Sequence, residues 1–408
     1  MLIVQKYGGT SVADTEKIFS AAKRIAQDYL KNHDMVVVLS AQGHTTDTLL
    51  EKADEISKSP SKRELDALLA TGEQQSCALM AMALVELGLP AISLNSQQAG
   101  IFSTSEHGQA KIVSINPDRI NRELKKRNIV IITGFQGTTE HGEIMTLGRG
   151  ASDTTAIALA AALSADLCEI YTDVSGIFTA DPRKVKDAKK HREICYEHIM
   201  ELAAMGASVL HSRSVELAQK FDVEFYVKSS LACDSDKPTV IKNVPHLEQK
   251  VVSGITSDTN ICKVSISKLK PENINAFFCL FAQNNIVFDM LTLEHDTEYG
   301  NLSFSIKESD CAVLVELLDS YRGDIFDGEV MISKGLAKLS VIGAGIAYDP
   351  SVAWAFYETL GNEKIKLHLL SLSAIKISAL VPEDMLLRAI SALHSRFEGA
   401  GMFKEDIL

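Results

Sequence analysis

The segment Leu2-Ile3-Val4-Gln5-Lys6-Tyr7-Gly8-Gly9-Thr10-Ser11 places a short apolar run directly before two glycines and two hydroxyl residues. The apolar run predicts a strand and the glycines predict a turn, and helical spacing follows over residues 14–30. Two glycines let backbone N–H groups approach an anion, and the positive end of a following helix favours phosphate. Lys6 adds a mobile positive charge, so the segment predicts a phosphate site, although a tight turn before a capped helix would give the same pattern.

Strand and helix patterns alternate from this segment to about residue 230. Further strands are predicted at 35–39, 91–94, 129–133 and 167–171. Further helices are predicted at 46–58, 77–87 and 152–164. The unbroken apolar run Met35–Leu39 is typical of a strand that is covered on both faces. The sequence therefore predicts an α/β fold, a three-layer αβα sandwich on a largely parallel sheet.

The last third of the chain contains an internal repeat. Lys263-Val264-Ser265-Ile266 recurs as Lys338-Leu339-Ser340-Val341, and each copy continues with helix, strand, strand and helix patterns. This indicates two α+β units of the βαββαβ type. A polar stretch with two prolines, at 231–250, marks the boundary, so the predicted domains are 1–240, 251–332 and 333–408.

Composition restricts the class of protein. The 408 residues are 46% hydrophobic and 23% charged with a net charge of −12, as expected of a folded, acidic domain protein. The sequence shows no basic patch for nucleic acid and no run of about 20 apolar residues for a membrane span. The first residues read as a strand and not as a signal peptide, and the seven cysteines are scattered, so we expect a cytoplasmic protein with reduced thiols.

A second glycine-rich segment, Thr146-Leu147-Gly148-Arg149-Gly150-Ala151-Ser152-Asp153-Thr154-Thr155, leads into an alanine-rich helix. Ser152 and Asp153 are expected in the cap and first turn, where Asp153 would orient donors or a metal. Arg149 is suited to bidentate capture of a substrate carboxylate. A glycine turn with an ordinary helix cap is the alternative interpretation.

Two more segments carry polar residues at expected element ends. Thr172 and Asp173 end an apolar strand, and open α/β sheets bind ligands at such strand ends. Phe178 and Arg183 follow. Phe178 is a candidate to stack on a nucleotide base, and Arg183 is a candidate to bind a phosphate. Glu73 is expected at the start of a helix, where it would either complement the helix dipole or hold a substrate ammonium group. No grouping of histidines or cysteines has the spacing of a metal site, so no protein-held metal is predicted.

Taken in order, KYGGTS, LLATGEQ, SQQAGI, GFQG, TLGRGASDTTA and YTDVSGIFTADPR resemble the signatures of the aspartate kinases of the amino-acid kinase family. The resemblance is closest to the monofunctional bacterial type of the lysine pathway, which carries C-terminal ACT repeats. It implies ATP-dependent phosphorylation of the β-carboxylate of L-aspartate to 4-phospho-L-aspartate, the first step toward lysine, threonine and methionine. An aspartate carboxylate is ionised at neutral pH, so this reaction needs no general base.

The resemblance also implies residue roles. Lys6 and Asp153 would be catalytic. The nucleotide, with Mg²⁺ entering alongside ATP, would be bound by Lys6, Tyr7, Gly8, Gly9, Ser40, Thr172, Asp173, Phe178 and Arg183. L-aspartate would be bound by Thr46, Glu73, Arg149 and Ser152. Two alternatives stay open: a kinase for another amino acid, of the glutamate 5-kinase kind, and a catalytically altered amino-acid sensor.

The family's ACT repeats usually hold a feedback amino acid between paired copies. Here Leu269-Lys270-Pro271-Glu272, Leu293 and Ser371-Leu372-Ser373-Ala374-Ile375 replace polar family positions. We therefore expect only weak inhibition by lysine or threonine. No methionine lies between Met205 and Met290 that could start a separate short subunit, so a homo-oligomer, a homodimer through the ACT repeats, is expected.

Overall fold

The computed structural model describes residues 1–403 except 149, 206–209, 232–236, 244–251, 285, 296–298, 345, 347 and 348. The strands of the N-terminal part are β1 (Leu2–Tyr7), β2 (Asp34–Leu39), β3 (Ala91–Leu94), β4 (Ile101–Ser103), β5 (Ile112–Ile115), β6 (Ile129–Thr133), β7 (Gln136–Thr138), β8 (Ile144–Thr146), β9 (Leu167–Thr172), β10 (Glu193–Ile194), β11 (Phe225–Ser229) and β12 (Thr239–Ile241). Its helices are α1 (Thr15–Leu30), α2 (Thr45–Ile56), α3 (Lys62–Glu86), α4 (Asp118–Lys125), α5 (Ala151–Leu163), α6 (Tyr196–Ala204) and α7 (Ser212–Phe221).

The central sheet has the order β10-β12-β11-β9-β1-β2-β6-β3 and is parallel except where β11 meets β12. Successive side chains of one strand pack in different hydrophobic cores, one on each face of the sheet. Ile3 packs with α1 and α3, whereas Val4 packs with α5 and α6. Helices therefore cover both faces of the sheet, and the predicted αβα sandwich on a largely parallel sheet is confirmed.

Helix α3 differs from the prediction. It begins at Lys62 rather than near Cys77, so Glu73 lies in the middle of the helix and not at its start. The dipole explanation for Glu73 is therefore wrong, because that effect is confined to the first turn. Gly72 does not break the helix: a Cβ there would lie 2.8 Å from the Ala41 side chain, so the glycine allows close packing.

The turn after β1 lies where the sequence predicts it. Residues Gly9–Val12 form a single 3₁₀ turn, and α1 begins only after Asp14, whose carboxylate accepts a hydrogen bond from Lys17 N at 2.9 Å. The glycine pair thus leads into a short turn rather than directly into the N-terminus of the long helix.

The C-terminal part contains β13 (Gly254–Leu269), α8 (Ile274–Gln283), β14 (Phe288–His295), β15 (Gly300–Lys307), α9 (Cys311–Ser320), β16 (Val330–Ile342), α10 (Pro350–Asn362), β17 (Leu369–Ser373), β18 (Lys376–Pro382) and α11 (Leu386–Gly399). These elements follow the order that the internal repeat predicts. They build one antiparallel sheet, β14-β15-β13-β16-β18-β17.

The two repeats share their central strands. The first half of β13 pairs with the end of β16, where Gly254 faces Ile342, and its second half pairs with both β15 and the start of β16. Residues 254–258 therefore extend the sheet of the second repeat, although in sequence they lie at the start of the first. The predicted division at 332/333 falls within β16, which continues across it without a break.

Candidate active site

A cavity of about 490 Å³ lies where β1 and β2 end and α5 begins. The sequence-predicted residues that line it are Lys6, Gly9, Ser40, Thr46, Glu73 and Ser152. Open α/β sheets bind ligands at the carboxyl ends of their strands, and the cavity occupies that position. The first two glycine-rich segments, far apart in sequence, thus meet at one site.

A buried ion pair lies at the β1 side of this cavity. Lys6 Nζ is 2.6 Å from Asp153 Oδ1, and the two side chains are only 11% and 9% exposed. Lys6 is at the end of β1 and Asp153 is in the first turn of α5. A cation so placed is held in position while its remaining N–H donors can reach an anionic ligand.

The backbone at Gly9, close to Lys6 in the cavity, passes very near the backbone of Ala41. A Cβ at this position would lie 2.5 Å from the carbonyl oxygen of Ala41, so only glycine fits. Gly43 N donates to the Gly9 carbonyl at 3.0 Å, and Gly8 N donates to the Tyr171 carbonyl at 3.2 Å. The loops after β1, β2 and β9 are thereby tied together at the cavity.

Glu73 projects from α3 into the cavity with its side chain 3% exposed. One carboxylate oxygen accepts from Ala41 N at 3.1 Å, and the other is buried with no hydrogen-bond partner. Burial raises the pKa of Glu73 to about 7, with the Ala41 hydrogen bond acting against it. A buried, half-satisfied carboxylate at a cavity is suited to a cationic ligand.

Asp66 also lines the cavity, and sequence reasoning did not identify it. Its carboxylate accepts from Thr146 Oγ1 at 2.5 Å and from Gly108 N at 3.1 Å, and it lies 2.8 Å from His107 Nδ1. Asp66 precedes Glu73 by two helical turns, so both occupy one face of α3. That spacing could have revealed it had the helix been predicted from Lys62.

The second glycine-rich segment also contributes to the cavity wall. Gly148 and Gly150 line it with φ of +86° and +70°, in the left-handed region that favours glycine. Arg149 between them lies outside the described residues. Ser152 is 7% exposed and packs so closely that a Cβ on Gly134 would lie 2.6 Å from its hydroxyl oxygen.

The third group of predicted residues lies around the end of β9. The Thr172 hydroxyl donates to the exposed Asp173 carboxylate at 3.0 Å. Phe178 and Arg183 line a separate small cavity of about 80 Å³, and the Arg183 guanidinium makes two hydrogen bonds to Asp181, at 3.0 and 3.1 Å. These residues neighbour the first cavity through the pairing of β9 with β1 but do not line it.

Tyr7 is placed differently from the other predicted residues. Its ring is fully buried and stacks on the Tyr171 ring, with centroids 4.6 Å apart and planes 2° apart. The Tyr7 hydroxyl donates to Gln5 Oε1 at 3.1 Å. Only the backbone of Tyr7 is therefore near the cavity.

Within the described residues, no three histidine, cysteine, aspartate or glutamate side chains are grouped as metal ligands. In the same part of the chain, no helix is long and apolar enough to cross a membrane.

Comparison with known proteins decides the family. Residues 1–229 match the amino acid kinase family and residues 331–395 match the ACT domain. An aspartokinase of Geobacillus stearothermophilus is 43% identical over 400 residues, which cover 97% of each chain. The chain belongs to the aspartokinase family. Its activity is ATP-dependent phosphorylation of aspartate, a kinase reaction of amino-acid biosynthesis.

Solved structures of the family show the same architecture. E. coli aspartokinase III in complex with aspartate and ADP superposes with a TM-score of 0.80 at 25% identity, covering 98% of this chain and all of that one. The same enzyme in complex with lysine and aspartate gives a TM-score of 0.76 at 24% identity, covering 99% of this chain and all of that one. The amino-acid kinase fold followed by ACT units, predicted from the sequence, is confirmed.

Proposed function

We propose that the 490 Å³ cavity is where the γ-phosphoryl group of ATP meets the β-carboxylate of L-aspartate. Both reacting groups are anionic, so the main task is to hold them together and to spread negative charge in the transition state. Lys6 Nζ bridges donor and acceptor oxygens, and Asp153 holds Lys6 in place. The backbone at Gly8 and Gly9, with Ser40, cradles the phosphates.

The observation that carries this proposal is the unpartnered oxygen of Glu73. We assign it to the ammonium group of aspartate, the one cationic substituent of the substrate. Arg149 takes the α-carboxylate, and the hydroxyl groups of Thr46 and Ser152 complete the aspartate site.

The nucleotide lies across the ends of β1 and β9. Thr172 and Asp173 hold its sugar and phosphates, Phe178 stacks on the base, and Arg183 exchanges its partner Asp181 for phosphate. Mg²⁺ enters with ATP, bound largely by phosphate oxygens and water, as is usual for this ion. Among the residues proposed to bind the nucleotide, Asp173 has an exposed carboxylate that would hold the Mg²⁺ ion. The ion would neutralise charge on the phosphates.

The proposal also covers the domains and the assembly of the chain. Residues 1–240 form the catalytic domain, and residues 251–332 and 333–408 form two ACT-type repeats that share one sheet. The repeats carry exposed apolar side chains, with Val287 77%, Met331 60% and Trp354 55% exposed, which favour pairing with a second copy. We propose that the protein is a cytoplasmic homodimer built through the ACT repeats. Native mass spectrometry should then show a single kind of chain.

Measurement of coupled ADP release with L-aspartate and with L-glutamate tests the function. We expect rapid release with L-aspartate, and trapping of the acyl phosphate with hydroxylamine identifies the product. Preference for L-glutamate would indicate a glutamate 5-kinase-like enzyme. Absence of turnover with either amino acid would indicate a sensor that has lost catalysis.

A further inference from the structure

The loop that carries Phe178 and Arg183 is held by the C-terminal part of the chain. Thr179, which follows Phe178, has no exposed surface. Its carbonyl oxygen accepts from Ile255 N at 2.8 Å, and its hydroxyl oxygen lies 2.9 Å from His394 Nε2. Because Ile255 lies in β13 and His394 in α11, both contacts join this loop to the ACT sheet and its last helix.

The Thr179 hydroxyl group has a second hydrogen bond besides the one with His394. Thr179 Oγ1 accepts from Lys189 N at 3.0 Å, and its own proton remains available for a neighbouring acceptor. His394 is 1% exposed, and burial lowers its pKa despite the opposing effects of Glu398 and Asp187. A neutral imidazole has one donor and one acceptor nitrogen, and the Thr179 hydroxyl group can pair with Nε2 in either role.

Apolar packing joins the same two parts. Ala180 and Val185 of the loop belong to the hydrophobic core that also contains Ile255, Ile390 and Phe397. The 80 Å³ cavity beside Phe178 has Ile255 and Ile390 in its opposite wall. The loop after β9 is therefore part of the core of the second ACT-type repeat, although in sequence it belongs to the catalytic domain.

We propose that His394 is a positioning residue for the nucleotide. It fixes Thr179, and through Thr179 it sets the positions of Phe178 and Arg183. This inference rests on the proposed nucleotide site. Glu73 and Ser152 line the other cavity, so loss of the His394 contact weakens ATP binding and leaves aspartate binding largely unchanged.

The test is the effect of His394→Leu on the two KM values. We expect a rise of about three- to ten-fold in the KM for ATP, the effect of one buried hydrogen bond, and less than about two-fold in the KM for aspartate. His394→Gln retains a polar group near Nε2 and should restore most of the ATP affinity. Ser378→Ala is the matched control, because it removes a buried hydrogen bond to Ser340, 2.8 Å long, between β16 and β18 and not at the loop.

Thr179→Val gives a second test that keeps the shape of the side chain. It should raise the KM for ATP at least as much as His394→Leu, because it also removes the hydrogen bond from Lys189 N. The double variant should be no worse than Thr179→Val, because each single variant already removes the bond between Thr179 and His394. If His394→Leu does not fold, Thr179→Val compared with Ser378→Ala decides the question.

An unchanged KM for ATP in folded His394→Leu or in Thr179→Val, equal rises in both KM values, or additive effects in the double variant would overturn the inference. Arg183→Ala separates this from failure of the nucleotide site. If Arg183→Ala raises the KM for ATP and the His394 variants do not, only the positioning role is wrong. If Arg183→Ala also has no effect, the nucleotide assignment and the positioning role are both wrong.

Discussion

Two of the buried carboxylates at the site, Asp153 and Glu73, differ in whether the protein itself supplies a positive charge beside them. Asp153 has the Lys6 ammonium 2.6 Å away. Glu73 has one backbone N–H and an oxygen without a hydrogen-bond partner. The first carboxylate is thus neutralised within the chain, whereas the second is completed by a cationic substrate. The two side chains therefore respond differently to substitution.

Lys6→Met should reduce turnover by at least about 10²-fold, since it removes a preorganised cation from the transition state. It should also destabilise the fold by about 3–5 kcal/mol, because Asp153 is left as an unpaired buried charge. Adding Asp153→Asn should recover most of that stability and none of the activity. Urea unfolding and ADP release check the two effects, and near-wild-type turnover in either variant would contradict the role of Lys6.

Glu73 should make the ligand-free protein less stable as pH rises. Its pKa is about 7 in the fold and near 4.5 when unfolded, so its stabilising contribution is complete below about pH 4.5 and is lost as pH rises to 7. Glu73→Gln should therefore stabilise the ligand-free protein at pH 8, by up to about 3 kcal/mol, and have little effect on stability at pH 4.5.

The raised pKa of Glu73 also predicts how aspartate binding depends on pH. Between about pH 5 and 7 the ammonium group should displace a proton from Glu73, so the KM for aspartate should rise as pH falls below 7. Calorimetric titration in two buffers of different ionisation enthalpy measures the released proton. The pH dependence of the KM for aspartate should be lost in Glu73→Gln. If it persists in that variant, a group other than Glu73 causes it.

At the scale of elements, the turn after β1 depends on one glycine. Gly9→Ala should abolish activity and destabilise the protein, since the new Cβ would lie 2.5 Å from the Ala41 carbonyl oxygen. Gly361→Ala in α10 is the control, because a Cβ there meets nothing within 4 Å, and alanine should add up to about 1 kcal/mol of stability. Thermal unfolding with activity assays distinguishes them, and an active Gly9→Ala would show that this backbone approach is dispensable.

Much of the element order could be predicted because the signals are local. Leu2–Tyr7 and Ile129–Thr133 are apolar runs with clear ends, and both strands have those bounds. The start of α3 was missed because Gly72 reads as a breaker, while its role depends on Ala41, which is distant in sequence. Local patterns do not carry such contacts.

The site shows the same limit. Lys6 and Glu73 could be identified from motifs, since each is part of a recognisable segment. The contacts of Asp66 with the loop at Gly108, and of Thr179 with His394, join residues with no shared pattern. The sharing of β13 between the two repeats also arises from pairing over a long separation, which an internal repeat does not predict.

At the scale of the whole molecule, the ACT repeats should respond weakly to amino acids. Leu293 and the segment Ser371–Ile375 lack polar groups that the family's repeats usually carry, and each hydrogen bond lost to a charged ligand is worth about 1.5–3 kcal/mol. We expect little inhibition by lysine or threonine, alone or together, at about 1 mM. Titration of each against the aspartate-dependent rate checks this, and half-inhibition by sub-millimolar lysine would contradict it.

The central claim is that this cavity binds aspartate with Glu73 on the ammonium group. Competition by succinate, which has both carboxylates but no ammonium group, measures that contact directly. The wild-type protein should bind succinate at least about 100-fold more weakly than L-aspartate, and Glu73→Gln should lose most of this discrimination. If Glu73→Gln still discriminates against succinate as strongly as the wild-type protein does, another group holds the ammonium and the assignment of the site is wrong.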